Sequence, residues 1–292
     1  MMRALCAGHV NWDVTLRVDR LPAPDGEVTI EQQHQAGGGS AANVAVNLAA
    51  LNHDASLFGS VGDDESGMLA GRELARAGVE THLVEADGDT AVKYLVVDGD
   101  GEVMVLSNRG ANEAYDAADL AVDVADFDLL HLTNQPPAVA ARLASRGRDA
   151  DVPVSFSPGR TLADRDFAET LALADTVFVN QREATVLVNE DGLDVLREGA
   201  TLVITRGSDG AEVRVDGRTY SHPGFDVEPL DTTGAGDAFA SGFLAARADG
   251  ADHERAIAVA NACGAIASCE VGARAELTWE RIDAFIADHD AA

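Results

Sequence analysis

Short apolar runs alternate with helical patterns along most of the chain, and this alternation limits the possible folds more than any other feature. The predicted strands lie at 3–9, 55–61, 127–132, 152–156, 175–180 and 201–206, and the predicted helices at 40–51, 65–78 and from Ala235 onward. Strands separated by helices imply a mainly parallel sheet that is covered on both faces. We therefore predict an α/β fold whose ligands bind beyond the carboxyl ends of the strands.

Two stretches break this rhythm. Residues 11–20 with 27–35, and residues 90–108, alternate polar with apolar side chains and contain turn signals such as Pro22-Ala-Pro24 and Asp98-Gly-Asp100-Gly. This pattern predicts half-exposed antiparallel strands. Since they project from the parallel body, we expect one domain over residues 1–292 with a small lid sheet contributed by about 11–36 and 90–110. Open lid edges also suggest a homodimer that forms through the lid.

The composition indicates a globular protein of the cytoplasm. The chain has 292 residues, of which 46% are hydrophobic and 5% aromatic, enough to bury a large core. No stretch approaches the length needed to span a bilayer, and the apolar part of MMRALCAGH is too short for a secretory signal. The three cysteines, Cys6, Cys263 and Cys269, lack the C-x-x-C spacing of metal or redox sites. We therefore expect reduced structural thiols.

The charge balance is strongly acidic. The sequence has 50 Asp and Glu against 21 Lys and Arg, for a net charge of −29. A field of this sign repels nucleic acid and anionic membranes, so neither is an expected partner. Lys93 is the single lysine, and we expect it to be exposed on a lid strand. Sparse lysine with abundant aspartate resembles proteins of salt-accumulating archaea, although a merely acidic mesophilic protein remains the alternative.

The segment DTTGAGDAFASGF, residues 231–243, places small residues where a helix is predicted to begin. A helix start presents unpaired backbone N–H groups and a partial positive charge, and small residues let an anion approach them. Gly234, Ala235 and Gly236 are such residues, and Asp237 follows in the first turn. The segment therefore predicts an anion hole with a general base beside it. The alternative is that Asp237 only complements the helix dipole.

A second glycine cluster, AGGGSAANVAVNLAAL at 36–51, also leads into a helix. Gly38 and Gly39 would let a polar small molecule lie against the backbone, and Asn43 would exchange hydrogen bonds with sugar hydroxyls. Gly37, Gly39 and Ala42 match a dinucleotide-binding fingerprint only weakly. That fingerprint requires a preceding buried strand, and here the residues EQQHQ are polar.

Three further segments carry candidate binding residues. Asn11 and Asp13 point the same way on an extended segment, where they bind adjacent hydroxyls or merely form a turn. Asn180 and Glu183 lie one helical turn apart, where they orient magnesium-bound water or cap the helix start. The segment TRGSDGA at 205–211 either forms a surface that binds a nucleotide or leads into a β-hairpin.

The order and spacing of these motifs resemble the ribokinase-like PfkB family of carbohydrate and nucleoside kinases over nearly the whole chain. The motifs are GxxNxD near residue 10, GGxxxN near 40, GSVGDDESG at 59–67, NxxE at 180, TxGxxG at 205 and DTTGAGD at 231. The resemblance implies a three-layer sandwich with a mainly parallel central sheet and a small β-sheet lid.

The implied activity is ATP-dependent phosphorylation of the primary hydroxyl of a pentose-type sugar or nucleoside. Alternative acceptors are a sugar phosphate such as ribose 1-phosphate, a ketohexose or a keto-deoxy sugar acid. A non-catalytic sugar or nucleotide sensor and a dinucleotide-dependent dehydrogenase are the alternatives from other classes.

The resemblance also assigns roles near the acceptor. Asp237 is implied as the base, beside an anion hole built from Gly234, Ala235, Gly236 and the Asp237 amide. The residues implied for the sugar site are Asn11, Asp13, Gly38, Gly39 and Asn43, with Asn134 where ribokinases tend to carry an acid. Arg109 and Arg160 are candidate contacts for an anionic acceptor, the alternative being surface salt bridges.

On the nucleotide side, the resemblance implies ATP, Mg²⁺ and, as in some members, K⁺. The residues implied for the adenine nucleotide are Thr205, Gly207, Gly210 and Asn261. Asp231 would help Asn180 and Glu183 to place Mg²⁺. Candidates for a K⁺ site are Asp231 and Thr233 with Ala267, Glu270 and Gly272 of the segment 267–272. The loop departs from the family pattern at Glu276, where a small hydroxyl residue is more usual.

Overall fold

The computed structural model describes residues 1–100, 102–190 and 195–290, which form two β-sheets and eight α-helices. The strands are β1 Arg3–Ala7, β2 Asn11–Val18, β3 Ile30–Gly38, β4 Asp54–Gly62, β5 Glu80–Ala86, β6 Ala91–Val97, β7 Val103–Asn108, β8 Leu129–Leu132, β9 Val154–Phe156, β10 Thr176–Asn180, β11 Thr201–Thr205, β12 Ala211–Val215 and β13 Arg218–His222. The helices are α1 Ser40–Ala50, α2 Glu65–Arg76, α3 Pro137–Asp149, α4 Ala168–Leu173, α5 Gln181–Glu190, α6 Ala235–Ala248, α7 His253–Ser268 and α8 Trp279–Asp290. Gly101, part of the predicted Asp98–Gly101 turn, lies outside the described residues.

The large sheet confirms the predicted α/β fold. Its strand order is β13-β12-β11-β10-β9-β8-β1-β4-β5. Neighbouring strands from β11 to β5 run parallel, and only the hairpin strands β12 and β13 at one edge pair antiparallel. Parallel neighbours require crossover connections, which the intervening helices supply.

Two hydrophobic cores lie on opposite faces of the large sheet. Alternate residues of β1 point to opposite sides: Ala4 and Cys6 join the core under α1 and α6–α8, whereas Leu5 and Ala7 join the core under α3 and α4. All four residues are fully buried. The chain is therefore a three-layer α/β/α sandwich, as predicted.

The small sheet, of order β3-β2-β6-β7, is the predicted lid. Its two outer pairs, β2–β3 and β6–β7, are antiparallel as expected, but its central pair, β2–β6, is parallel. The expectation of a wholly antiparallel lid is therefore corrected. The reason is topological, because β3, α1, β4, α2 and β5 lie between the two central strands along the chain and form a long crossover between them.

Three strands, β5, β12 and β13, were not predicted from the sequence. A signal for the last two was present, since Asp216 and Gly217 separate two alternating segments and both adopt positive φ, 50° and 70°. Asp-Gly in this conformation is a preferred two-residue hairpin turn. Segment 205–211 accordingly leads from β11 into the antiparallel strand β12, so its hairpin interpretation is confirmed.

The helix lengths and the three cysteines bear on two expectations from composition. Within the described ranges, no helix is long and apolar enough to cross a bilayer. Cys6, Cys263 and Cys269 are free thiols, and the first two are buried. The cysteines therefore contribute to packing, as predicted, and burial raises the pKa of the Cys263 thiol to about 12.

Candidate active site between the sheet and the lid

A cavity of about 570 Å³ lies where the parallel strands of the large sheet end. His9 follows β1, Asn134 follows β8, Arg160 follows β9, and Asn180 and Thr205 end β10 and β11; all five line the cavity. The lid covers its other side with residues of β2, β6 and β7. This is the position where open parallel sheets bind ligands, and it agrees with the sequence prediction.

The N-terminus of α6 opens into this cavity. Gly234, the N-cap, has a φ of 77°, and a Cβ there would collide with the carbonyl oxygen of Ala273, so the position requires glycine. The Ala235 amide donates to the Thr232 carbonyl at 3.3 Å. Within the described part of the chain, the amides of Gly236 and Asp237 have no hydrogen-bond acceptor. Two open donors and a helix dipole at this point suit an anion.

Asp237 turns its carboxylate away from its own helix. The α6 N-terminus has no side-chain cap, and Asp237 Oδ2 instead accepts a hydrogen bond from Asn43 Nδ2 at 2.8 Å. Burial raises the pKa of Asp237 to about 6, while hydrogen bonds from Asn43 and Ser40 and the charges of Lys93 and Arg274 lower it. A carboxylate with this pKa beside a cavity has the properties of a general base near neutral pH. This geometry favours the base interpretation over a dipole-complementing role.

A polar network that the sequence analysis missed holds Asn43 in place. Arg274 donates from Nε to Asn43 Oδ1 at 3.1 Å and from Nη1 to Glu73 Oε1 at 2.6 Å. The other Glu73 oxygen accepts from the Gly37 amide at 3.0 Å. Because Arg274 can only donate, it fixes the Asn43 amide with its NH₂ group toward Asp237. Arg274 lies between the predicted K⁺ segment, 267–272, and Glu276. Its position in the sequence gave no indication of a contact with Asn43.

Asp13 is a buried carboxylate without a hydrogen-bond donor. It is 7% exposed and lines the cavity, and neither of its oxygens has a partner within the described residues. A Cβ on Gly38 would collide with this carboxylate, so glycine is needed there. Burial raises the pKa of Asp13, opposed by Lys93 and Arg274. A buried carboxylate left unpaired is costly, so this arrangement suits a ligand that donates hydroxyls.

The remaining predicted sugar-site residues surround this carboxylate. Asn11, Gly39 and Asn134 line the cavity. Asn11 Oδ1 accepts from Asn112 Nδ2 at 2.7 Å, and Asn134 Oδ1 accepts from Thr161 Oγ1 at 2.8 Å. These bonds fix the amide orientations and leave the Asn11 and Asn134 NH₂ groups as donors toward the cavity.

Lys93 corrects an expectation from the sequence. It is not a fully exposed strand lysine: its side chain is 33% exposed, lines the cavity and places Nζ 3.9 Å from Asp13 Oδ2. Strand alternation puts every second side chain on the same face, but the sequence does not show which face of the lid is turned toward the cavity.

Asn180 and Glu183 form the capping box that was the alternative for them. Asn180 Oδ1 accepts from the Glu183 amide at 3.0 Å, and Glu183 Oε2 accepts from the Asn180 amide at 2.9 Å. Both residues also line the cavity. Burial raises the pKa of Glu183, against the hydrogen bonds from Asn180 and the charge of Arg160.

Several residues predicted for ligands lie beyond the cavity lining. Among those predicted for the nucleotide, Thr205 lines the cavity, whereas Gly207, Gly210 and Asn261 do not. Asn261 donates from Nδ2 to the Ile257 carbonyl of its own helix at 2.7 Å. Arg109 is exposed outside the lining, while Arg160 lies in it. The charge of Arg160 acts on Glu183, and the neighbouring Thr161 donates a hydrogen bond to Asn134.

The residues predicted to bind K⁺ form hydrogen bonds with one another and with their neighbours. Asp231 accepts from the amides of Thr233 and Gly272, each at 2.9 Å. The Glu270 carboxylate is held by Arg281 Nη1 at 2.6 Å. The Ala267 carbonyl accepts from the Glu270 amide at 3.2 Å. The two carboxylates are therefore already committed to partners within the loop and α8.

The chain is similar to known kinases over its whole length. The profile of the pfkB family carbohydrate kinases matches residues 1–280. The chain is 51% identical to an ATP-dependent ribose-1-phosphate kinase of Halopiger xanaduensis, over 99% of both chains. It is 29% identical to a ribokinase of Bacillus subtilis, over 94% of this chain and 95% of that protein. The acidic composition agrees with the halophilic source of the first relative.

The fold is also that of a solved kinase structure. Arabidopsis thaliana ribokinase complexed with ribose and ATP superposes with a TM-score of 0.82, at 20% identity and over 98% of both chains. At this identity the likeness shows the fold alone, and it agrees with the sandwich and lid described above.

Proposed function

The chain belongs to the pfkB family of carbohydrate kinases and is an ATP-dependent phosphotransferase with an alcohol acceptor, and from this premise we propose that it phosphorylates ribose 1-phosphate at its primary hydroxyl. One observation carries the proposal: a raised-pKa carboxylate, Asp237, shares a cavity with two open helix amides and with the Asp13 carboxylate, which accepts no hydrogen bond from the described residues. The sugar-phosphate acceptor is favoured by the 51% identity with a ribose-1-phosphate kinase.

The proposed reaction places each group in one role. The vicinal hydroxyls of the pentose donate to Asp13, which leaves the primary hydroxyl beside Asp237. Asp237 takes the hydroxyl proton as the new O–P bond forms. The bond from the γ-phosphorus to the bridging oxygen breaks, and the electron pair leaves with ADP. The amides of Gly236 and Asp237 stabilise charge on the transferred phosphoryl group.

Magnesium is proposed at the nucleotide end. Within the described ranges no three acidic, His or Cys side chains cluster to hold a metal by themselves. Both Glu183 carboxylate oxygens accept hydrogen bonds from Asn180, so this pair would orient water bound to Mg²⁺ while phosphates and water supply the ligands. Burial of Glu183 favours a cation nearby. Neutralising the ATP phosphates is the chemistry that Mg²⁺ supplies when bound.

Potassium fits the chain less well. Asp231 is occupied by the Thr233 and Gly272 amides, and Glu270 is held by Arg281. These side chains do not fit a cation site as they stand, so no step of the reaction is assigned to K⁺.

The test is ADP release by the purified protein in concentrated KCl with ATP and Mg²⁺. The acceptors are ribose 1-phosphate, ribose, a ketohexose and a nucleoside, each assayed separately. We expect the highest kcat/KM with ribose 1-phosphate. A higher kcat/KM with ribose or the nucleoside would contradict the sugar-phosphate acceptor. The acceptor would then be a neutral sugar or nucleoside, as the family resemblance first implied. ATP binding without turnover of any acceptor would contradict the proposed acceptors.

A further inference from the structure

The acceptor end of the cavity contains one side-chain ammonium group. Lys93 on β6 lies directly opposite Asp13 on β2 and Ser107 on β7, and residues paired across strands share a face. Two other cation-forming side chains line the cavity. Arg160 acts on Glu183 through its charge and is not among the charges that act on Asp13, and His9 Nε2 lies 3.4 Å from Glu113. Lys93 is therefore the cation that an acceptor on Asp13 would meet.

No described residue accepts a hydrogen bond from Lys93. Its Nζ lies 3.9 Å from Asp13 Oδ2, which is beyond hydrogen-bonding distance, and neither Asp13 oxygen accepts a hydrogen bond from any described residue. The two groups attract each other without forming the close ion pair that would satisfy both. A ligand that inserts hydroxyls at Asp13 and an anion at Nζ would complete both sets of hydrogen bonds.

The composition makes this position unusual. The chain has 21 cationic residues against 50 acidic ones, and its only lysine faces the cavity. A compact ammonium with three rotatable donors can follow a phosphate on a sugar ring, and it does so as a point charge.

Resting on the proposed sugar-phosphate acceptor, we propose that Lys93 binds the acceptor phosphate and gives the enzyme its preference for phosphorylated over neutral pentoses. In this role Lys93 is a binding residue whose effect depends on the acceptor charge. A residue that only neutralised Asp13 and Asp237 would affect charged and neutral acceptors alike.

The experiment compares kcat/KM for ribose 1-phosphate and for ribose in the parent protein, Lys93→Gln and Lys93→Arg. Arg20→Gln, which removes an exposed cation after β2, is the matched control for lid charge. We expect Lys93→Gln to lower kcat/KM for ribose 1-phosphate about tenfold to a hundredfold, mainly through KM, as for loss of a charged hydrogen bond. Lys93→Gln also raises the pKa of Asp237, so the comparison is made at about pH 8, where Asp237 stays ionised in every variant. There, ribose kinetics should change less than about threefold, and Lys93→Arg should recover part of the loss.

Two outcomes would overturn the inference. One is an equal loss with both acceptors, which would make Lys93 a partner of the two carboxylates rather than of the phosphate. The other is an unchanged kcat/KM for ribose 1-phosphate in Lys93→Gln. Either result leaves the proposed function intact if the parent protein still prefers ribose 1-phosphate. A parent protein that prefers ribose would contradict the proposed function itself, and this is visible before any variant is made.

Discussion

The Asp237 carboxylate combines a position at a helix N-terminus with a raised pKa. It lies where open amides attract an anion, and burial raises its pKa to about 6. A base with this pKa is ionised at neutral pH, yet it binds a proton more readily than a solvated aspartate. Its ionised form is also held by Asn43 at 2.8 Å, so the carboxylate orientation is fixed before the acceptor arrives.

Replacing Asp237 by Asn should abolish the base while keeping the shape of the site. We expect kcat to fall about a hundredfold or more, because the acceptor hydroxyl loses its proton acceptor. Nucleotide affinity, measured by calorimetry, should change little. Asp87→Asn changes an exposed aspartate that is distant from Asp237 in the sequence, and it serves as the control. Turnover of Asp237→Asn near the parental level would exclude Asp237 as the base.

Arg274 should tune the pKa of this base. Its charge lowers the Asp237 pKa, and its Nε fixes Asn43, so Arg274→Met should raise that pKa further. A raised pKa means that the base loses its charge at higher pH. The ratio of variant to parental kcat/KM should therefore fall as pH decreases toward 6 and recover as pH rises.

The ratio is used because any titration of ATP or of the acceptor is common to both proteins and cancels. Arg255→Met is the control, since it removes an exposed arginine that pairs with Asp283 on another surface. A ratio that is low but constant with pH would show that Arg274 only supports the structure of the site.

At the residue scale, the sequence predicted the parts of the site that depend on local chain geometry. The helix start at Gly234–Asp237 follows from small residues before a helical pattern, and Asp13 and Asn43 follow from the spacing of polar residues around glycines. Arg274 was missed because its partner Asn43 lies 231 residues away along the chain. Such long-range contacts depend on the packing of whole elements, which local patterns do not encode.

At the scale of elements, the lid combines a binding face with an exposed apolar surface. Five of the nine large hydrophobic side chains exposed in the described residues belong to lid strands: Ile30, Tyr94, Val103, Val105 and Leu106. β3 and β7 are also free edges of the small sheet. Tyr94 and Leu106 pair on the face turned away from the cavity, whereas Val105 also lines the cavity. Exposed apolar side chains beside open edges are typical of a surface that another chain covers. The sequence predicted open lid edges from alternation, but not the parallel pairing of β2 with β6, because pairing depends on the intervening crossover.

We predict that a second copy of the chain covers this surface. The parent protein should have the mass of a dimer in size-exclusion chromatography with light scattering, and Val103→Ser with Leu106→Ser should shift it toward the monomer. Leu230→Ser removes a leucine outside the lid that is even more exposed, 71% against 54% for Leu106, and should leave the mass unchanged. A monomeric parent protein at all concentrations tested would contradict the prediction.

At the scale of the whole molecule, charge sets the conditions in which the fold is stable. The net charge of −29 gives the compact state a large self-repulsion, and ion pairs such as Arg142–Asp116 and Arg255–Asp283 lie on exposed side chains. Exposed pairs of this kind contribute little each. The repulsion therefore has to be reduced by the solvent, and dissolved salt does so by shortening the screening length from about 10 Å at 0.1 M to about 3 Å at 1 M.

We therefore predict that KCl stabilises the fold. Raising KCl from about 0.1 M to about 1 M should increase the unfolding temperature by on the order of 5–10 °C, equivalent to a few kcal/mol for a domain of this size. Circular dichroism during heating measures the change. Sucrose at equal osmolality is the control, because it is excluded from the protein surface without screening charge. If sucrose stabilises the protein as much as KCl does, or if KCl has no effect, charge repulsion is not what limits stability, and the acidic surface is that of a mesophilic protein.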